Sequence, residues 1–134
     1  MKEPERPGGY VVARMLHAGL AAGLVVFTAA CYAFRAGRPP VDTPAFLGWV
    51  PLLIGSGIFT GAALLKDRFM GGDGTGDWWK VNLPRALLLW SLFEGPALFG
   101  AAIYLGTGAP QSLAATAVGF ALLLWYSPDR LHDG

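Results

Sequence analysis

Charge is almost absent from three long stretches of this chain. Between Arg14 and Arg35 there is none, between Asp42 and Lys66 none, and between Arg85 and Asp129 only Glu94. A soluble helical domain spreads charged residues along every helix to solvate one face. Here they make up 14% of 134 residues, against about 25% in soluble domains. Roughly 20 apolar residues in a helix cross a hydrocarbon core about 30 Å thick. The stretches therefore predict an all-α integral membrane bundle of four transmembrane helices, at about 15–34, 45–65, 86–106 and 111–126, making residues 1–134 a single transmembrane domain.

With those spans, Lys2, Arg6, Arg14, Lys66, Arg68, Lys80, Arg85 and Arg130 fall on one side and only Arg35 and Arg38 on the other. Basic residues accumulate on the cytoplasmic side of membrane proteins, so the N- and C-termini are expected to be cytoplasmic. No basic patch points to nucleic acid. Cys31 is the sole cysteine, which excludes an intramolecular disulfide, a paired-thiol redox motif and a cysteine zinc cluster. Thr28-Ala29-Ala30-Cys31 looks faintly like a lipoprotein cleavage site, but the apolar stretch has full span length and is expected to be retained. No Ser/His/Asp or Cys/His constellation supports catalysis, so the chain is not expected to be an enzyme.

Residues 1–9 read as a polar tail. Pro39 and Pro40 end the first span, and Asp42 or Thr43 with Pro44 offers a cap and first turn for the second. Pro51 is expected to kink that helix. Residues 69–79 form a flexible cytoplasmic loop, whose Asp73-Gly74-Thr75-Gly76-Asp77 run lacks the glutamate of a calcium loop. Trp78, Trp79 and Arg85 are expected to anchor the interface, with Pro84 beginning the third span. The fourth span, about 16 residues, must stand upright or thin the bilayer. Gly19 and Gly23, Gly57 and Gly61, and Gly95 with Pro96 are the expected sites of close helix packing. Sliding residues 13–34 onto 85–106 without gaps matches seven of 22 positions, Tyr32 with Tyr104 among them. This allows a duplicated helical hairpin, repeated in parallel.

Glu94 and His17 are the candidate ion or proton residues. A carboxylate at the bilayer centre costs about 2.5–3.5 kcal/mol on insertion scales. Glu94 must therefore take up a proton, meet a cation or contact a neighbouring subunit. Pro96 frees the carbonyl of Leu92, and Glu94 with Ser91 could satisfy polar groups there. His17 reads as an interfacial, hydrogen-bonded histidine, with a relay toward Glu94 or ligation of a haem or pigment as the sharper alternatives. No metal and no cofactor are predicted; bound lipid is expected.

These residues carry a resemblance. His17-x-Gly19-Leu20 with Phe27, then Arg85…Leu89-Trp90…Glu94-Gly95-Pro96-Ala97-Leu98-Phe99 and Tyr104-Leu105…Thr107-Gly108, then Ser127-Pro128, resemble a family of small uncharacterised bacterial four-helix inner-membrane proteins. That resemblance implies a multi-pass protein of the bacterial inner membrane and no established activity. A weaker likeness, to the proteolipid rotor subunits of rotary ATPases, places the acid on the second or fourth helix, whereas Glu94 is on the third. The small multidrug transporters carry theirs on the first. The sequence thus favours a non-catalytic accessory or structural subunit of a larger membrane complex, respiratory or photosynthetic in type. Its expected partners are the lipid bilayer and other membrane subunits or a second copy. The alternative is a proton- or cation-coupled carrier or rotor-like subunit using Glu94.

Overall fold

The computed structural model describes residues 8–71 and 78–133, and every regular element among them is helical. In chain order these are α1 (Gly8–Arg35), a 3-10 turn (Ala45–Gly48), α2 (Val50–Phe69), α3 (Trp78–Thr107), a second 3-10 turn (Pro110–Ser112), α4 (Leu113–Trp125) and α5 (Pro128–Asp133). Three segments, α1, Ala45–Phe69 and α3, are long and apolar enough to cross a membrane; Pro110–Trp125 is apolar but shorter. Met15, Val26, Leu53 and Leu64 stand between 68% and 74% exposed. So greasy an exterior suits lipid, because water does not tolerate extensive apolar patches on a monomer.

Helix α3 is the hub. It packs against α1, α2 and α4, while α1 and α2 flank it without substantial contact with each other. Tyr10 lies on Trp79 and Tyr32 stacks on Tyr104, so α1 and α3 run parallel. Phe59 meets Phe93 while a Cβ on Gly55 would touch Pro96, and Trp90 bonds to Tyr126 while Thr116 bonds to Ala97. Helices α2 and α4 are therefore antiparallel to α3. The two segments matched by the ungapped alignment lie side by side in its register, with Tyr32 on Tyr104. This arrangement gathers Arg14, Lys66, Arg68, Lys80, Arg85 and Arg130 toward one end of the bundle and Arg35 and Arg38 toward the other.

The core follows a heptad rhythm. On α3, Trp79, Asn82, Ala86, Leu89, Phe93, Pro96 and Gly100 are buried at alternating spacings of three and four. That keeps one stripe facing its neighbours. On α1 the buried residues are Ala13, His17, Leu24, Cys31 and Arg35, a single narrow stripe.

Several local expectations are corrected. Helix α1 reaches back to Gly8, into the stretch read as a polar tail, and its Tyr10 and Ala13 pack against the core. Pro84 lies inside α3, which begins at Trp78. Its missing N–H falls where the helix is exposed, beside Val81 and Arg85, so the interior cost of proline is moderated. Pro51 does not kink α2: it occupies the first turn, where its missing N–H has no bond to make. No side chain caps the 3-10 turn after Pro44, and Thr43 Oγ1 donates to the Val41 carbonyl at 3.4 Å. The expected 69–79 loop is shortened from both sides, by Phe69 on α2 and Trp78–Trp79 on α3; the Asp73–Asp77 run lies outside the described residues, as do Lys2 and Arg6.

Candidate functional site

The fourth apolar helix stops early, and its end explains His17. From Pro110 to Trp125 it spans 16 residues, about 24 Å at 1.5 Å per residue, less than a hydrocarbon core. The last carbonyls of any helix lack an intrahelical partner, and in lipid an unsatisfied one is costly. Tyr126 N–H takes the Leu122 carbonyl at 2.9 Å. His17 from α1 bonds through Nε2 to the Leu123 carbonyl at 2.7 Å, and Trp90 Nε1 from α3 donates to the Tyr126 carbonyl at 2.7 Å. A carbonyl only accepts, so His17 Nε2 carries the proton in this bond. The two donors support each other, the His17 ring standing edge-on to Trp90 with centroids 4.9 Å apart.

After this cap the chain turns at Ser127. Helix α5 then continues beside Tyr10, whose hydroxyl donates to the Asp129 carboxylate, and Leu131 is buried. Phe93 stacks on Tyr126, Lys66 lies over the Tyr126 ring and Arg130 over Trp125. His17 is thus a buried structural donor between α1 and α4. Its Nε2 is engaged and unavailable to a haem or pigment metal without breaking the cap.

Glu94 has a different fate. It is half-buried and makes no hydrogen bond or ion pair among the described residues. Arg14 and Arg85 do not pair with it; Arg14 lies over the Tyr10 ring, 5.9 Å from its centroid. The polar knot expected at Pro96 does not form either. Ser91 Oγ donates to the Leu87 carbonyl at 2.7 Å, one turn earlier on its own helix, which is where a helical serine reaches most readily. His17 and Glu94 share no hydrogen bond.

The glycines divide into two sets. A Cβ at Gly100 would lie 2.5 Å from the Ser112 carbonyl oxygen, and one at Gly119 2.6 Å from that of Phe93. With Ala97, Ala101 and Ala115 fully buried, these residues make a close α3/α4 seam that Thr116 ties by donating to the Ala97 carbonyl at 2.7 Å. Gly55 accepts Pro96 and Phe59 in the same way, its Cβ position 3.2 Å from Pro96 Cβ. At Gly19, Gly23, Gly57, Gly61 and Gly95 a Cβ would meet nothing within 4 Å. Those five are not intramolecular packing sites in this structure, whereas Pro96 is buried against α2. Heptad spacing on α3 was the signal that could have found Gly100.

Of the expected anchors, Arg85 is exposed and Trp78 half-buried, but Trp79 is 1% exposed and belongs to the core, because α3 begins one residue earlier and places it on the buried stripe. At the opposite end of the bundle Arg35 is buried, which the sequence did not suggest. Its Nη2 donates to the Pro39 carbonyl at 2.7 Å, beneath Gly108, whose φ of 73° and lack of a Cβ admit the guanidinium. The cation there sits at the negative end of the α1 dipole. Among the described residues no group of three or more metal-ligating side chains is found. No family model, curated protein or solved structure matches the chain.

Proposed function

We propose that this chain is a non-catalytic membrane subunit, an accessory or structural part of a larger complex of respiratory or photosynthetic type in the bacterial inner membrane. In this reading it crosses the bilayer four times, Pro110–Trp125 making the last passage, and both termini are cytoplasmic. The observation that carries the proposal is the lopsided use of α1. Only 17% of its apolar window is buried within the chain, and Gly19 and Gly23 face outward with space around them. Exposed glycines leave notches that a neighbouring helix fills better than lipid tails do. Extraction in a mild detergent tests this: the protein should come out with other membrane chains, and recovery as a lone monomer would contradict it.

The unpaired Glu94 favours a second reading, a proton- or cation-coupled carrier. Less supports it: His17, the natural relay, is spent on the α4 cap, and the groove beside Ser91 and Gly95 is otherwise lined by Ile54, Ile58, Leu92, Pro96 and Phe99. A carrier would lose its flux in proteoliposomes on Glu94→Gln while remaining folded. An accessory subunit has no flux to lose.

A further inference from the structure

Between α1 and α4 runs a groove of about 500 Å³, walled by Val25, Ala29 and Tyr32 on one side and Leu113, Ala117 and Phe120 on the other. That volume falls in the range of about 300–1,000 Å³ common to small-molecule sites. Two polar side chains on this stripe of α1 are left over. Thr28 lines the groove, and its Oγ1 is buried with no hydrogen-bond partner among the described residues. A helical threonine ordinarily donates to the carbonyl four residues back, as Thr107 does to that of Ile103. The other groove threonine, Thr116, is spent on the Ala97 carbonyl. Arg35 follows Thr28 by seven residues on the same stripe and is 9% exposed. Its Nη2 donates to the Pro39 carbonyl, while its Nε has no partner among the described residues. The guanidinium lies against Gly108, from which the chain leads through the second 3-10 turn to Leu113 of the groove wall. Asp42, the one acidic residue at this end of the bundle among those described, makes no ion pair with it. The C-terminus of α1 offers about half an elementary charge. A whole cation so far out of water calls for more than that.

We propose that the groove holds one phospholipid from the leaflet on the Arg35 side, its phosphate at the guanidinium and one acyl chain laid along the α1/α4 walls. The ester carbonyl of that chain accepts from Thr28. Depth agrees with this placement. Helix α1 has 28 residues, about 42 Å at 1.5 Å per residue, the thickness of a bilayer with its headgroups. Arg35, at its end, is therefore at headgroup level, and Thr28, about 10 Å further in, is at the top of the hydrocarbon. The walls and the charge together select the occupant. Transmembrane helices dock where small residues let backbones approach; no glycine lines this groove, and Val25, Tyr32, Leu113 and Phe120 leave room for an acyl chain rather than a helix. An isoprenoid or quinone fits such walls but brings no anion to Arg35. Phospholipid binds here whether or not the chain belongs to a larger complex.

Lipid retention by the full chain, purified in mild detergent, is the test, read by native mass spectrometry and by analysis of the extracted lipid. The parent protein should carry one phospholipid per chain. After delipidation, phosphatidylglycerol should rebind at least tenfold more tightly than a diacylglycerol with the same acyl chains, and that preference should vanish in Arg35→Gln. Thr28→Val should weaken both about threefold, the worth of one hydrogen bond in a membrane. Ala117→Trp, which fills the groove, should abolish binding, whereas Ala30→Trp, at an exposed position of α1 outside the groove, should not. If Arg35→Gln fails to fold, the diacylglycerol comparison on the parent and Ala117→Trp still decide. A parent that retains no phospholipid overturns the proposal, as does one whose groove holds an isoprenoid, a second copy or another chain's helix. Equal binding of diacylglycerol, or binding indifferent to Ala117→Trp, overturns it too. Co-purifying chains bear on the accessory reading alone.

Discussion

The α3/α4 seam and the outer surfaces of α1 and α3 are made of similar parts, small residues at helical spacing with a polar group along an apolar helix. In the seam, Gly100 and Gly119 have carbonyl oxygens where a Cβ would go, and the polar groups at the end of α4 are met by His17 and Trp90. On the outer surfaces, Gly19 and Gly23 of α1 and Gly95 of α3 have open space around them, and Glu94 meets no polar group among the described residues. Residue type alone therefore does not say what a membrane glycine or a buried polar residue is for. What distinguishes the two regions is whether the fold has already used them.

The widest gap between the regions should appear on enlarging a glycine. Gly119→Leu drives a side chain into the Phe93 backbone and should abolish the folded state, read as loss of a monodisperse peak after detergent extraction; a normal peak would mean the seam is looser than described. Trp90→Ala should destabilise the isolated protein by about 3–5 kcal/mol, combining a cavity with the lost donor. Trp90→Phe, measured by the same unfolding titration, should cost clearly less. For His17→Leu, losing the bond to the Leu123 carbonyl should cost about 1 kcal/mol, the scale of hydrogen bonds between membrane helices. Smallest of all, Gly23→Leu should change the stability of the isolated chain by less than about 0.5 kcal/mol, as a substitution into open space does. A large loss there would erase the distinction between the two regions.

The apolar segments were legible because crossing a bilayer constrains composition over some 20 residues, whatever they pack against. The gathering of Arg14, Lys66, Arg68, Lys80, Arg85 and Arg130 toward one end could be read too, because they fall between or beyond those segments. Partnership could not. Gly19 and Gly23 show the same four-residue spacing as any packing pair, and nothing local reveals that α1 turns them outward while α3 turns Gly100 inward. The partner of His17 is a backbone carbonyl 106 residues away, exposed only because α4 ends at Trp125, and sequence patterns do not record where a helix runs out of hydrogen bonds. Trp79 and Pro84 were misplaced by putting the start of α3 six residues late. Once that helix begins at Trp78, the three–four spacing from Trp79 onward places them both.

Glu94, half-buried on α3, should be held away from bulk water by the apolar residues around it. In a Cys31→Ser background, Glu94→Cys should react in membrane vesicles with a water-soluble maleimide far more slowly than Asp67→Cys, at a position whose side chain is 86% exposed. Labelling of both positions at similar rates, with the agent given access to both faces, would place Glu94 in water and contradict the account.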